Sequence, residues 1–295
     1  MDALEGLPVF VRAVREGSFS ATARVLGLTP SAVSKQIGRL EDQLAVRLFN
    51  RTTRRLSLTE EGAAFFERAS RILADLEDAA AAVSSHRTVV RGRLRVTLPT
   101  AFGILHLLPV LPEFLARHPE LTVEIDLNDR FVNMIEEGFD IALRIGDLAD
   151  SSLISRRLAA NRRMVVAAPA YLQGRPVLRH PEDLKDHNCL VYTYRSQRYD
   201  WQMVDAEGRE HLITVSGNFE TNNPMMLRAA ALDGLGIVMS PLWLLGPDVK
   251  AGRLQCVLPD YHWPDSAIQA VYPPGRHLSA RVRSFVDFLV ERFAE

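Results

Sequence analysis

Cysteine is nearly absent from this 295-residue chain, which has only Cys189 and Cys256. A disulfide framework is therefore not what holds it together. Both cysteines sit in apolar, strand-like runs, so burial is their expected role and a redox switch between them is the alternative. No apolar run approaches the roughly 20 residues of a membrane span. The N-terminus opens with Asp2 and Glu5 instead of the basic-then-apolar order of a secretory signal, so a cytoplasmic location is expected. The eight histidines are scattered, and no pair has metal-ligand spacing. There is no G-x-S-x-G elbow, no P-loop, no dinucleotide fingerprint and no metal motif, so neither catalysis nor a cofactor is expected. What remains has the composition of an ordinary globular protein, 47% hydrophobic and 24% charged, with room for two or three domains.

The net charge of −1 conceals an asymmetry. Residues 1–58 carry nine Arg and Lys against five Asp and Glu, a net of +4, so the other 237 residues carry −5. A basic end on an acidic body points to one end meeting nucleic acid. That end holds the densest pattern in the chain. Leu4, Leu7, Phe10, Val11 and Val14 repeat at helical spacing over about residues 2–15, and Gly17 stops them. Ser18 is a capping hydroxyl for a short helix with Phe19, Ala23 and Leu26 on one side. Gly27 supplies the left-handed residue that ends it. Thr29-Pro30 then pairs an N-cap hydroxyl with a proline at the first helical position. Two short helices across a tight turn form a helix-turn-helix. In the second helix Val33, Ile37, Leu40 and Leu44 make one apolar stripe. The opposite face carries Ser31, Lys35, Gly38 and Asp42, flanked by Ser34 and Arg39, and its N-terminal half is small, polar and cationic as entry into a major groove requires.

Leu48-Phe49, then Asn50-Arg51-Thr52-Thr53-Arg54-Arg55, then Leu56-Ser57-Leu58 read as strand, basic tip and strand, a wing placed to hold the DNA backbone or minor groove. The candidate DNA contacts are Ser18, Thr29, Pro30, Ser31, Ser34, Lys35, Arg39, Arg51, Thr53 and Arg54. The bland alternative is an amphipathic helix pair with a solvated basic loop. Order and spacing taken together favour DNA. The run from Phe10 to Gly62, F-V-R-A-V-R-E-G-S-F-S-A-T-A-R-V-L-G-L-T-P-S-A-V-S-K-Q-I-G-R-L-E-D-Q-L-A-V-R-L-F-N-R-T-T-R-R-L-S-L-T-E-E-G, closely resembles the LysR-type transcriptional regulators, and weaker matches continue to the C-terminus.

Thr59 caps a longer helix whose first turn carries Glu60 and Glu61 at the positive end of the dipole. Phe66, Ala69, Leu73, Leu76, Ala80 and Val83 alternate three and four apart, a heptad seam that wants a partner helix. The alternative is a helix packed on its own domain. The seam is lost after Val83, so a hinge is expected between about 85 and 92. From Arg93 the period changes. Strands are expected at 94–98, 121–127, 140–146, 163–168, 188–193, 211–216, 237–240 and 267–272. Helices are expected at about 102–117, 132–137, 223–232, 241–252 and 278–293. Strand and helix in alternation imply α/β structure with a mainly parallel sheet. The family resemblance implies more: a winged helix-turn-helix domain (1–58), a linker and dimerisation helix with hinge (59–92), and an effector domain (93–295) folded like a type 2 periplasmic binding protein. One lobe would take about 93–161 and 267–295, the other about 162–266. It implies a homodimer through the linker helix, assembling further to a tetramer, with double-stranded DNA as partner and no membrane partner.

A cleft between two α/β lobes suits a small-molecule effector, with carboxylates and aromatics as the classes to screen. The candidates are Thr100, Ala101 and Phe102 after the first strand, where a hydroxyl at a helix N-terminus suits an anion. Arg144, Ile145 and Gly146 end a strand of the same lobe. Thr221, Asn222 and Asn223 lead into a helix of the other, Val238 follows a close-approach glycine, and Trp201 with Phe131 offers an aromatic wall. Against these stand plain structural roles: Thr100 as a cap, Arg144 paired with a structural acid, Asn222 and Asn223 as turn and cap. A transporter's solute-binding protein and an enzyme are the rival functions. The basic N-terminal pattern opposes the first, and nothing supports the second.

Overall fold

The computed structural model describes residues 3–50, 56–83, 90–146, 153–194, 198–264, 266–274 and 278–293. The chain divides into two compact units, Met1–Thr88 and Val89–Glu295. In the first, α1 (Ala3–Glu16), α2 (Phe19–Leu26) and α3 (Pro30–Leu44) precede a small antiparallel pair, β1 (Phe49–Asn50) with β2 (Ser57–Leu58), and the long α4 (Glu60–Val83). Local chemistry explains each boundary. Gly17 and Gly27 take left-handed φ values of 64° and 65°, open to glycine at no steric cost. The Ser18 and Thr29 hydroxyls accept from the N–H groups of Ala21 and Ala32 at 3.4 and 3.2 Å. Phe10, Val33, Ile37, Leu40 and Leu48 form the core, with the Phe10 ring edge-on to Phe49 at 5.5 Å.

The seam on α4 behaves differently from the expectation that it meets a partner along its length. Ala69 is fully buried in the core of its own unit, and Phe66 and Leu73 pack against that core. Among the described residues Ile72 and Leu76 are the exposed large apolar side chains of the helix, 50% and 62% accessible. The side chains of Ala80 and Val83, and most of the expected hinge, lie outside the described residues. Gly62 stands where a capping box would place Glu or Gln, and no side chain fits there: a Cβ would stand 2.0 Å from the Leu48 carbonyl oxygen. Thr59 caps α4 alone, accepting from the Gly62 N–H at 2.9 Å.

The second unit contains two five-stranded sheets. One has the order β4 (Leu121–Leu127), β3 (Gly92–Leu98), β5 (Ile141–Ile145), β14 (Ser266–Tyr272), β6 (Ile154–Asn161). Its helices are α5 (Thr100–Phe102), continued through a π-helical turn (Gly103–Leu107) into α6 (Leu108–Arg117), then α7 (Met134–Glu137) and α11 (Ala280–Phe293). Val282, Phe285, Val286 and Leu289 bury one face of α11 against this sheet's core, as their spacing requires. The other sheet runs β11 (Glu220–Thr221), β8 (Cys189–Tyr192), β12 (Ile237–Pro241), β7 (Arg163–Ala167), β13 (Gln255–Cys256), and carries α8 (Pro169–Leu172), α9 (Pro224–Leu232) and α10 (Leu242–Lys250). A hairpin, β9 (Asp200–Val204) with β10 (Glu210–Thr214), packs beside it.

Neither sheet is mainly parallel, as the alternation of elements implied. The β3–β4, β3–β5, β8–β12 and β8–β11 pairs are parallel, but β14 is antiparallel to both β5 and β6, and β7 is antiparallel to β12 and β13. The reason is the chain path. β6 leads out of the first sheet at Asn161 and β14 leads back in at Ser266, so neighbouring strands run opposite ways. The strand at 154–161 has no clean alternation, and the five-residue strand at 200–204, though it alternates, was not anticipated. At the crossing, the Asn161 amide donates to the Ser266 hydroxyl at 2.9 Å and its Oδ1 accepts from the Trp243 indole at 3.0 Å. Cys189 is buried with its thiol pushed up to about 12 by desolvation, and Cys256 is half-buried with its thiol also pushed up by burial. Both are free thiols, held far from the thiolate form that reacts.

Candidate functional site

The first site is the outer face of α3. Val33, Ile37 and Leu40 turn inward, at 0%, 3% and 1% exposure. Thr29, Pro30, Ser31, Ser34, Lys35 and Arg39 are all exposed on the other side. A Cβ on Gly38 would meet nothing within 4 Å, so its bare backbone leaves open space on that surface. Neither Lys35 nor Arg39 is ion-paired to another described residue. The Thr29 hydroxyl also lies 3.0 Å from that of Ser31, so the cap orders the start of the face. Ser18 is half-buried and engaged as the cap of α2. Arg51, Thr53 and Arg54 lie outside the described residues.

The sequence pattern gave no hint of how the wing is anchored. Glu41, at the buried edge of α3, accepts at Oε1 from the backbone N–H groups of Leu48 and Phe49, 2.8 and 3.2 Å, and at Oε2 from Arg47 at 2.8 Å. One carboxylate thus ties the recognition helix to the first wing strand.

The second site is a cavity of about 150 Å³ between the two sheets of the second unit. Pro99, Ala101, Asp129, Phe131, Arg144 and Ile145 line it from one side. Tyr192, Tyr194, Met239, Ser240 and Trp243 line it from the other, with Arg163, Pro224 and Pro241 at its edges. Ala101, Arg144 and Ile145 are therefore brought together as expected, and Phe131 supplies an aromatic wall. Other expected contacts are not there. Phe102 is buried among His106, Trp243 and Phe293; Trp201 is buried in the core beside the hairpin; Val238 is fully buried in the second sheet. Each is an apolar residue, and core packing outranks lining a cleft. Gly146 takes a left-handed φ of 114°, and its carbonyl accepts from Gln269.

Polar groups around the cavity are positioned in layers. Thr100 lies beside Asp129 and favours its charged form, so a carboxylate of the protein already stands near that helix start. Burial nevertheless raises the Asp129 carboxyl above the usual range, with Thr100 and the charge of Arg144 opposing it. Asn222 stands behind the wall, its amide donating to the Tyr194 hydroxyl at 2.9 Å. Asn223 caps α9 through the Met225 N–H at 2.9 Å, and the Thr221 hydroxyl accepts from the Asn223 N–H at 3.1 Å. Burial pushes the Tyr192 hydroxyl well above the usual tyrosine range. Arg144 is 6% exposed, and burial lowers its pKa despite the nearby charges of Asp126, Asp129 and Glu137. Asp129, Tyr192, Met239 and Trp243 escaped sequence reasoning because no local pattern marks a residue that faces a gap. Among the described residues no cluster of His, Cys, Asp and Glu is placed to hold a metal, and no helix is long and apolar enough to cross a membrane.

Residues 4–63 match the family model described as "Bacterial regulatory helix-turn-helix protein, lysR family", and residues 87–294 match the "LysR substrate binding domain". The chain is 37% identical to the Escherichia coli HTH-type transcriptional regulator DmlR, covering 99% of this chain and 95% of that one. It is 38% identical to the regulator CrgA of Neisseria meningitidis, covering 97% and 96%. The solved structure of CrgA superposes with a TM-score of 0.64 at 36% identity over 99% of both chains. The full-length Vibrio cholerae virulence activator AphB gives 0.61 at 28% identity, over 98% of this chain and 99% of that one. With a helix-turn-helix in its first unit and a cleft between two sheets in its second, the chain belongs to the LysR family of transcriptional regulators.

Proposed function

We propose that α3 reads an operator in the major groove and that a small-molecule effector in the cleft modulates this binding. The observation that carries the reading is the division of α3 into a buried apolar stripe and an exposed face of Ser31, Ser34, Lys35 and Arg39 beside a space-leaving glycine. The functional divisions are residues 1–58 for DNA contact, 59–92 for linkage and dimerisation, and 93–295 for effector binding, in a cytoplasmic regulator without catalytic activity. Ala101, Arg144, Ile145 and Phe131 contact the effector directly. Thr100 and Asn222 act from behind, through Asp129 and Tyr194. The protein works as a homodimer, joined through the exposed part of α4, and as a tetramer of such dimers. A ligand shifts the lobes only by its differential affinity for their two arrangements.

The test is a gel shift with the DNA flanking the gene. Ser34→Ala and Lys35→Ala each weaken operator binding, with each lost contact worth about 1–3 kcal/mol, and leave the melting temperature in place because both lie off the stripe. Wild-type operator affinity in both variants refutes the assignment. Failure of the wild type to bind any flanking DNA returns the chain to the solute-binding reading.

A further inference from the structure

His106 stands where the layers of the two sheets of the second unit meet. It lies in the π-helical turn Gly103–Leu107 on the first sheet's side, an irregularity that helices carry mostly at functional sites. Its ring stacks on Phe102 at 5.1 Å and meets Trp243, the second residue of α10 on the other sheet's side, edge-on at 5.2 Å. Trp243 packs against the cores of both sheets and touches the Phe102 ring as well, at 5.5 Å. Its indole N–H is the one that donates to Asn161, where the chain first crosses from sheet to sheet. Trp243 therefore joins the crossing point to a pair of rings on the opposite side. Inside this cluster His106 Nε2 is buried and has no hydrogen-bond partner among the described residues.

We infer that His106 and Trp243 form a pH-sensitive latch between the two sheets, closed while His106 is neutral and loosened when it gains a proton. The inference needs neither an effector nor DNA, and so stands apart from the function proposed above. An imidazolium carries an N–H donor on each nitrogen. With the latch closed, the Nε2 donor is buried without an acceptor, which is costly; with the sheets parted it meets water. The face of Phe102 attracts a cation but offers that donor no acceptor. Burial accordingly holds the His106 pKa below the ordinary 6.5, and the Trp243 backbone, which favours the charged form, offsets only part of this. Among the described residues no carboxylate bonds to His106. On α11, next to Phe293, Glu291 is engaged by Arg117 and Arg292 by Glu113. On α10, Asp248 is engaged by Arg228 and Arg253, and Lys250 closes the far end of the helix. The closed-state pKa is depressed, so the latch is at full strength above about 6.5 and weakens as pH falls below it. Burial also holds His118 and His187 low, but each is bonded on one side only, His118 to Ser284 at 2.8 Å and His187 to Tyr171 at 3.3 Å. Of the three, His106 is the one that bridges the sheets.

The test is hydrogen–deuterium exchange of the full-length protein, without DNA or added ligand, from pH 8 to pH 5.5. Exchange is corrected for its intrinsic pH dependence and read on peptides spanning 100–108 and 241–250. Wild type should lose protection in both segments together as pH falls below about 6.5, by about threefold or more. His106→Phe keeps a stacked ring but takes no proton, and its protection should stay flat over the same range. A flat wild-type profile overturns the inference. So does a loss confined to one of the two segments, or a wild-type profile that persists in a folded His106→Phe protein. If His106→Phe does not fold, His106→Leu takes its place, and if neither folds the wild-type profile decides alone. Because no operator or effector enters the measurement, its outcome is independent of the gel shift that tests the regulatory reading.

Discussion

Replacing Glu41 by alanine should cost the N-terminal unit about 2–6 kcal/mol. The carboxylate accepts from two backbone donors, at Leu48 and Phe49, which are 0% and 5% exposed and have no access to water in its place. Stranding a buried donor costs about 1–3 kcal/mol, so the pair accounts for about 2–6. The Arg47 pair adds less than about 1 kcal/mol, because the Arg47 side chain is 56% exposed and screened. For a unit of this size each kcal/mol lowers the melting temperature by about 4–8 °C, so Glu41→Ala should melt at least about 8 °C lower. Glu41→Gln keeps an acceptor for the N–H groups but turns a donor towards Arg47, and should fall between alanine and wild type. The same link responds to acid. Burial pushes the Glu41 carboxyl up, but the bonds from Arg47, Leu48 and Phe49 outweigh it and hold its pKa below the ordinary 4.5. The folded-state pKa is depressed, so the stabilisation is fully present above about 4.5 and is lost as pH falls through the folded value. Circular dichroism melts from pH 7 down to pH 3, with the two variants beside wild type, measure both effects. Operator affinity should fall with Glu41→Ala, since the first wing strand loses its tie to α3. A Glu41→Ala protein that melts within about 3 °C of wild type at pH 7 would refute the assignment.

The α4 interface is tested by Ile72→Asp with Leu76→Asp, both on the exposed side of the helix. Sedimentation should show a lower mass with the N-terminal unit still folded, and an unchanged mass would put the dimer contact elsewhere. Arg51→Ala and Arg54→Ala should weaken binding to all DNA sequences alike, each reducing the slope of log affinity against log salt by about one unit. A loss confined to one base position would mean that the wing reads sequence.

The sequence by itself determined the features whose cause lies within a few residues. Ser18, Gly27, Thr29 and Pro30 set the helix-turn-helix because each cap satisfies groups no more than four positions away. The three–four spacing of Val33, Ile37 and Leu40 selected the inward face of α3 for the same reason. Even the strands at 121–127 and 141–145 were readable, since alternation is a property of neighbours. Tertiary structure decided what depends on distant segments. The period of Phe66, Ala69 and Leu73 signalled burial, but whether the burying surface was a partner or the chain's own core depended on where α1 and the wing lay. The return of β14 from the second sheet made both sheets mixed, which alternation of elements does not encode. The cleft is the extreme case. Asp129, Arg144, Tyr192 and Trp243 span more than 100 residues of sequence, and only the fold brings them to one cavity. Arg144 was legible as a strand-end arginine. That one of its buried donors lacks an acceptor among the described residues is set by the positions of every neighbouring group, and no stretch of sequence carries that information.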